Sequence, residues 1–360
     1  MTVHPKYSRS RKSKRPFFHR FIIWALIFLI LAALVVGYLL YRAIFMPNVW
    51  TGEKDYVSVY IPTGSDFKDV KRILYGNGTV INRNTFEWLA SKKKYDEYVK
   101  PGHYIITREM NNDELINLLR SGNQTPVNVI FNSLRSIEDL ASIVGSQIEA
   151  DSSDISTLLN DDEFIRGYGF SDTTIMSMFI PNTYEFWWTT DARQFIERMD
   201  KEYNLFWDEE RIKKAGEIGM SPVEVATLAS IVEKETNKND EKPTIAGVYV
   251  NRIRAGWRLQ ADPTLIYAWQ DYSIKRVLNR HKTIDSPYNT YKVRGLPPGP
   301  ICIPSISSID AVLDHEDHNY MFFCASADLS GYHAFAKTSR EHNRNARAYQ
   351  KALDEMNVYK

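Results

Sequence analysis

The residues best suited to chemistry lie in one stretch, Ser221-Pro-Val-Glu-Val-Ala-Thr-Leu-Ala-Ser-Ile-Val-Glu-Lys-Glu-Thr236. Ser221 is a helix N-cap, Pro222 takes the first helical position, and Glu224 completes a capping box. At ~100° per residue, Leu228, Ile231, Val232 and Glu235 fall on one face. Glu233 points nearly the opposite way and Lys234 lies on the flank. Glu235 therefore continues an apolar stripe, where burial disfavours its charged form and raises its pKa. A carboxyl kept protonated near neutral pH is what protonation of a leaving oxygen requires. The same pattern also allows a blander outcome, with Glu235 half exposed at the helix end in an ordinary ion pair.

Beyond that helix, a second one is expected over about 243–255, closed by Gly256, with Gln260 and Asp262 following it. Asp262 precedes Pro263 and suits either a helix start or a second carboxylate, which would suggest hydrolysis. Gln260, Tyr288 and Asn289 offer the directional hydrogen bonds and ring faces that sugars use, or they pack their own loops. Gly295-Leu-Pro-Pro-Gly-Pro300 lacks the Lys-Ser/Thr ending of a phosphate loop and reads as a proline-fixed loop beside a cleft. His315-Glu-Asp-His318 lacks zinc-protease spacing, and His333 and His342 have no nucleophile motif beside them. No metal and no cofactor is expected. Tyr184, Phe186, Trp187 and Trp188 form an aromatic cluster, either core or carbohydrate platform.

Several ordered stretches carry a resemblance. Leu228-Ala-Ser-Ile-Val-Glu-Lys-Glu-Thr236 is followed by Val248-Tyr-Val-Asn-Arg252, Arg258-Leu-Gln-Ala-Asp-Pro-Thr264, Tyr288-Asn-Thr-Tyr291, Gly295-Leu-Pro-Pro-Gly-Pro-Ile301, His333-Ala-Phe335 and His342-Asn343. Together they closely resemble the YceG-like family of membrane-anchored endolytic murein transglycosylases. Pro181-Asn-Thr-Tyr184 matches the family's Pro-Asp-Thr-Tyr segment except that Asn182 replaces Asp, which removes any acidic role there. The resemblance is strong over 181–343 and looser before. It implies that Glu235, the second Glu of Glu-Lys-Glu, is the catalytic acid. It also implies cleavage of the MurNAc-GlcNAc β-1,4 bond with formation of a 1,6-anhydro ring. Asn251, Gln260, Asp262, Tyr288 and Asn289 are then the candidate substrate contacts. The competing function is a non-catalytic, membrane-anchored peptidoglycan-binding scaffold.

The elements that must position these residues are of mixed type, and the expected class is α+β. Tyr56 to Ile61 alternates as a strand. Helices follow from Ser65 to about Tyr75 and from an Asn84 cap, then a strand over His103–Ile106 and a helix over Asn112–Leu119 closed by Gly122. This order resembles the LysM glycan-binding module, or equally a generic spacer. Residues 56–125 form that module and 126–174 a linking α+β region. The linking region holds a strand at Val127–Phe131, a helix from Ser136 to about Ile148, and an Asp- and Ser-rich stretch at 149–162 expected as an exposed loop or short turns. Residues 175–360 form the catalytic domain, ending in a helix capped by Thr338 and Glu341, with Ala346, Tyr349 and Leu353 inward.

Before all of these comes an anchor. Phe21 to Tyr41 contains no charged residue and spans ~30 Å as a helix, the thickness of a bilayer core. It is longer than a signal-peptide core and lacks a small-residue cleavage site. Lys6, Arg9, Arg11, Lys12, Lys14, Arg15 and Arg20 precede it with no acid among them, which places residues 1–20 in the cytoplasm and everything past the 42–55 connector outside. The net charge of +1 argues against a nucleic-acid partner. The expected partners are glycan strands, the cytoplasmic membrane, and wall synthases or division proteins. Cys302 and Cys324 both fall outside, where a disulfide is permitted but not dictated.

Overall fold

The structure is a computed structural model that describes residues 15–355. The basic residues Lys6 to Lys14 lie outside that range. The described chain divides into two compact units, one ending at Thr125 and the other beginning at Pro126.

The first unit opens with α1 (Arg15–Phe45). Arg20–Phe45 is long and apolar enough to cross a membrane by length and composition, and none of its most apolar window is buried by protein. The helix runs four residues past the expected end at Tyr41. It is followed by β1 (Tyr56–Ile61), α2 (Phe67–Gly76), α3 (Arg83–Lys92), β2 (Gly102–Thr107) and α4 (Asn112–Ser121). The expected order of strand, helix, helix, strand, helix is present, but two caps differ. Asp66 rather than Ser65 caps α2, and Asn82 rather than Asn84 caps α3, because those side chains reach the free N–H groups of the first turn. β1 and β2 pair antiparallel with Val59 opposite Tyr104. Val59, Ile61, Leu74, Phe86, Tyr104 and Leu115 are fully sequestered between the strands and helices.

The second unit contains β3 (Val127–Phe131), α5 (Ile137–Gly145), α6 (Ser152–Leu159), α7 (Asp162–Arg166), β4 (Asn182–Phe186), α8 (Ala192–Phe206), α9 (Glu209–Glu217), α10 (Pro222–Glu235), α11 (Lys242–Arg254), α12 (Asp262–Trp269), α13 (Ile306–Leu313), β5 (Phe322–Ala325), β6 (His333–Ala336) and α14 (Ser339–Glu355). Two expectations are corrected here. The 149–162 segment is neither an exposed loop nor a set of short turns, since most of it is the helix α6. Asp151 caps α6, whose Ile155 and Leu159 are buried one helical turn apart. Nor is 126–174 a separate region. Its strand β3 pairs antiparallel with β4, with Val129 opposite Tyr184, and one core joins Phe131, Leu140 and Ile155 to Phe179, Phe195 and Met199. Tyr184 and Phe186 belong to this core, while Trp187 is half exposed.

A second core gathers α9 to α13 around α10. Every residue of α10 from Val225 to Val232 is buried. The helix is not amphipathic, as its stripe had implied. It is a central post with apolar neighbours on all sides. α14 has the expected Thr338–Glu341 cap and only a partly covered inner face.

Candidate active site

The start of α10 is fixed as its sequence requires. The Ser221 N–H donates to Glu224 Oε2 at 2.8 Å, and Ser221 Oγ accepts from the Glu224 N–H at 3.3 Å. Midway, the Ser230 hydroxyl donates to the Thr227 carbonyl at 2.7 Å and accepts from the Ile301 N–H at 2.9 Å. That second bond fastens the proline-fixed loop to the helix. The loop is held from its other side as well, since a Cβ on Gly299 would stand 1.8 Å from the Thr173 carbonyl oxygen.

The two carboxylates near the end of α10 have opposite fates. Glu233 accepts from Lys242 Nζ at 3.1 Å and from the Ser305 and Ser308 hydroxyls at 2.5 Å each. Burial alone would raise its pKa, but these three donors outweigh it and hold the group below the usual carboxylate range. Glu233 is thus an ion-paired strut between α10, α11 and α13.

Glu235, the last residue of α10, is half-buried. Dense protein around its carboxyl disfavours ionisation, and the nearby Asp262 charge adds to that effect. The Tyr249 hydroxyl, donating to Oε1 at 2.5 Å, and the Arg252 charge act the other way. Burial prevails, and the pKa is pushed up to about 7. With Oε1 occupied by Tyr249, Oε2 is the oxygen left to carry and present a proton.

α11 supplies this support from consecutive turns. Tyr249 is fully buried against Phe323, edge to face. Arg252 is buried and immobilised, its Nε donating to Met321 O at 2.8 Å and Nη1 to Leu259 O at 2.5 Å. Asn251 is directed away, its amide donating to the carbonyls of His318 at 2.7 Å and Tyr320 at 3.1 Å. It ties α11 to the segment before β5. His318 in turn bonds the Thr244 carbonyl at 2.9 Å.

Gln260 and Asp262 are exposed at the end of the α11–α12 connection. Gln260 holds a left-handed backbone (φ +54°), unusual for a residue with a side chain and kept in place by its N–H bond to the Thr290 carbonyl at 3.1 Å. Asp262 begins α12 and accepts from Tyr291 Oη at 2.5 Å. The Thr290 and Thr264 hydroxyls, 2.8 Å apart, hold the two loops together beneath them.

Tyr288 and Asn289 are placed differently from a surface sugar contact. Tyr288 is buried against the Tyr267 ring, with centroids 4.7 Å apart. Asn289 is fully buried. Its amide donates to the carbonyls of Lys282 at 3.1 Å and Ile284 at 2.8 Å, and its Oδ1 accepts from the Tyr291 N–H. Its hydrogen-bonding capacity is spent on backbone. It braces the loop that presents Tyr291.

His333 Nδ1 lies 2.8 Å from the buried Glu241 carboxylate, which also accepts from the Thr236 hydroxyl at 3.2 Å. This pins β6 beside the residue that follows Glu235. His342 stacks on Phe322. Cys302 and Cys324 are both free thiols, Cys302 fully buried. Reasoning from sequence missed Tyr249, Arg252 and Tyr291 as parts of the site. The signal was present in Tyr249 and Arg252, two polar residues set among the apolar positions of α11.

The sequence profile of the YceG-like family matches residues 59–348, most of the chain and all of the site just described. The chain belongs to the YceG-like family. It is 28% identical to an endolytic murein transglycosylase of Bacillus subtilis (strain 168) over 340 residues, 89% of this chain and 92% of that protein. It is 27% identical to an endolytic murein transglycosylase of Streptococcus pneumoniae (strain R6), covering 90% of this chain but only 64% of that longer protein. Among solved structures, a yceG-like protein of Listeria monocytogenes superposes with a TM-score of 0.54 at 28% identity, covering 81% of this chain and 99% of that one. The YceG-like match begins within β1 and ends within α14, so it includes both compact units.

Proposed function

We propose that this chain is an endolytic murein transglycosylase in which Glu235 is the single general acid and base. The reaction class follows its named relatives in the YceG-like family. The observation that carries the residue assignment is a carboxyl whose pKa burial pushes up to about 7, held by Tyr249 at the end of a closely packed helix.

Glu235 protonates the oxygen of the MurNAc-GlcNAc β-1,4 bond, and that bond breaks as positive charge develops at the muramic anomeric carbon. The carboxylate formed is stabilised by the Tyr249 hydroxyl and the Arg252 charge. It then takes the proton of the muramic C6 hydroxyl as that oxygen closes on the anomeric carbon. The products are a GlcNAc 4-hydroxyl end and a 1,6-anhydroMurNAc end, Glu235 is protonated again, and no water is consumed. One carboxyl suffices because the second nucleophile belongs to the substrate, whereas glycosidases that use water need two. Gln260 and Asp262, at the exposed rim, are the proposed sugar contacts. Asn251, Tyr288 and Asn289 act on the framework behind them. Asp262, engaged by Tyr291, orients substrate rather than activating water.

In the same reading α1 is an uncleaved anchor with its N-terminus in the cytoplasm, and residues 56–125 are a LysM-like holder of glycan. The substrate is the nascent strand near the membrane, where synthases or division proteins are the natural partners. The test is digestion of purified glycan by the full-length protein in detergent, read by mass spectrometry. Anhydro ends that disappear with Glu235→Gln are expected. Ordinary reducing ends would identify a hydrolase instead.

A further inference from the structure

A cleft of about 220 Å³ opens beside the candidate acid. Lys234 and Pro263, the immediate chain neighbours of Glu235 and Asp262, both line it. Its walls carry two cations and no acid. Arg135 lies over the ring of Tyr272, guanidinium carbon to centroid 4.6 Å. Stacking of this kind fixes the planar group while leaving its edge donors available. Lys234 Nζ has the Ser133 hydroxyl at 3.5 Å as its contact. Both cations are exposed, and among the described residues neither has a carboxylate within ion-pair distance, whereas Arg211, Lys214 and Lys242 of the same unit do. The acids that influence the cleft's tyrosines, Asp139 beside Tyr272 and Glu138 and Asp172 beside Tyr267, do not line it. The remaining surface is aliphatic and aromatic, with Ile266 and Ile301 among it.

Two unpaired cations over an apolar wall suit a ligand that alternates small apolar groups with carboxylates. A stem-free glycan offers them only as the single lactyl carboxylate and the methyls of each muramic residue, with no alternating run of the two. The peptide stem on muramic acid offers both, as alanine methyls and acidic side chains. We infer that this cleft is a subsite for the peptide stem of the muramic residue at the scission point, with a stem carboxylate between Arg135 and Lys234. The inference rests on the transglycosylase reading for its ligand and on the cleft alone for its chemistry. It makes the enzyme sensitive to whether stems are present and whether their carboxylates are free or amidated.

The test has a binding arm and a cleavage arm. Full-length Glu235→Gln protein in detergent micelles is titrated calorimetrically with a soluble muramyl pentapeptide. Saturable binding is expected. It should weaken about tenfold when Arg135→Gln and Lys234→Gln are added, the size expected for removing two solvent-edged charge contacts together. Amidating the peptide's carboxylates should weaken it comparably. Binding that ignores both changes, or no binding at all, overturns the subsite. In the cleavage arm, kcat/KM is compared on stem-bearing glycan and on glycan stripped of its stems. The ratio should fall about tenfold in the Arg135→Gln/Lys234→Gln double variant, and a parallel loss on both substrates overturns the proposal. Charge-dependent peptide binding by a protein that cuts neither glycan would leave the subsite standing and remove the enzyme. Cleavage of both glycans with charge-blind binding would do the reverse.

Discussion

Replacing Glu235 with Gln should stabilise the protein at alkaline pH and leave it unchanged at acid pH. In the unfolded chain the carboxyl ionises around its ordinary value of 4.5, whereas in the folded protein it does so only near 7. Between those values the unfolded state gives up a proton that the folded state keeps, so rising pH favours unfolding. The cost is absent below about pH 4 and complete above about pH 8. A separation from 4.5 to about 7, at about 1.36 kcal/mol per pH unit, amounts to about 3 kcal/mol at most. Gln keeps the shape and still accepts the Tyr249 hydrogen bond but never ionises. For a unit of this size about 3 kcal/mol corresponds to roughly 6–12 °C in Tm. The assay is thermal unfolding of the full-length wild type and E235Q in the same detergent, followed from pH 4 to pH 9. The two curves should coincide at pH 4 and diverge through pH 5 to 7, with the variant higher. Curves that stay parallel across the range would mean that Glu235 titrates as an ordinary surface acid, and the basis for its catalytic role would be gone.

Three further outcomes follow from the same contacts. Tyr249→Phe removes a hydrogen bond that favours the ionised form, so the alkaline limb of the pH–rate profile should move to higher pH while kcat falls about tenfold or more; a limb moving to lower pH would contradict the assignment. Asp262→Asn removes a like charge and should move that limb to lower pH, measurable in the same profile. Lys242→Met leaves Glu233 buried without its cation and should cost about 3–5 kcal/mol in urea unfolding, whereas a loss below about 1 kcal/mol would mean that Ser305 and Ser308 suffice alone.

What could be read from sequence was local. The Ser221-Pro222-Glu224 cap fixes the start of α10 through contacts three residues apart, and the helix indeed runs to Glu235. The order of elements in residues 56–125 was legible for the same reason, since each cap and alternation is a short-range signal. What failed depended on partners far along the chain. The pairing of β3 with β4 joins strands about fifty residues apart, and nothing in Val127–Phe131 names its partner. Asn289 looked like a sugar contact because amides often are. Its three backbone partners, two of them several residues back, show only in the folded loop. In 149–162 the Asp and Ser content points to an exposed stretch, whereas Ile155, Leu158 and Leu159 carry helical spacing. The Tyr249–Glu235 bond crosses between two helices, and only the Glu235 end is marked by local spacing.

The placement of the acid at the very end of α10 has a pharmacological consequence. The C-terminal pole of a helix carries partial negative charge, which adds to the reluctance of Glu235 to ionise. A cationic mimic of the sugar, such as an iminosugar with a protonated ring nitrogen, would reverse that balance and draw the proton away. Its capture would release a proton to the medium and tighten as the solution becomes more alkaline, up to the point where the mimic itself loses its charge. A neutral mimic would show no such linkage.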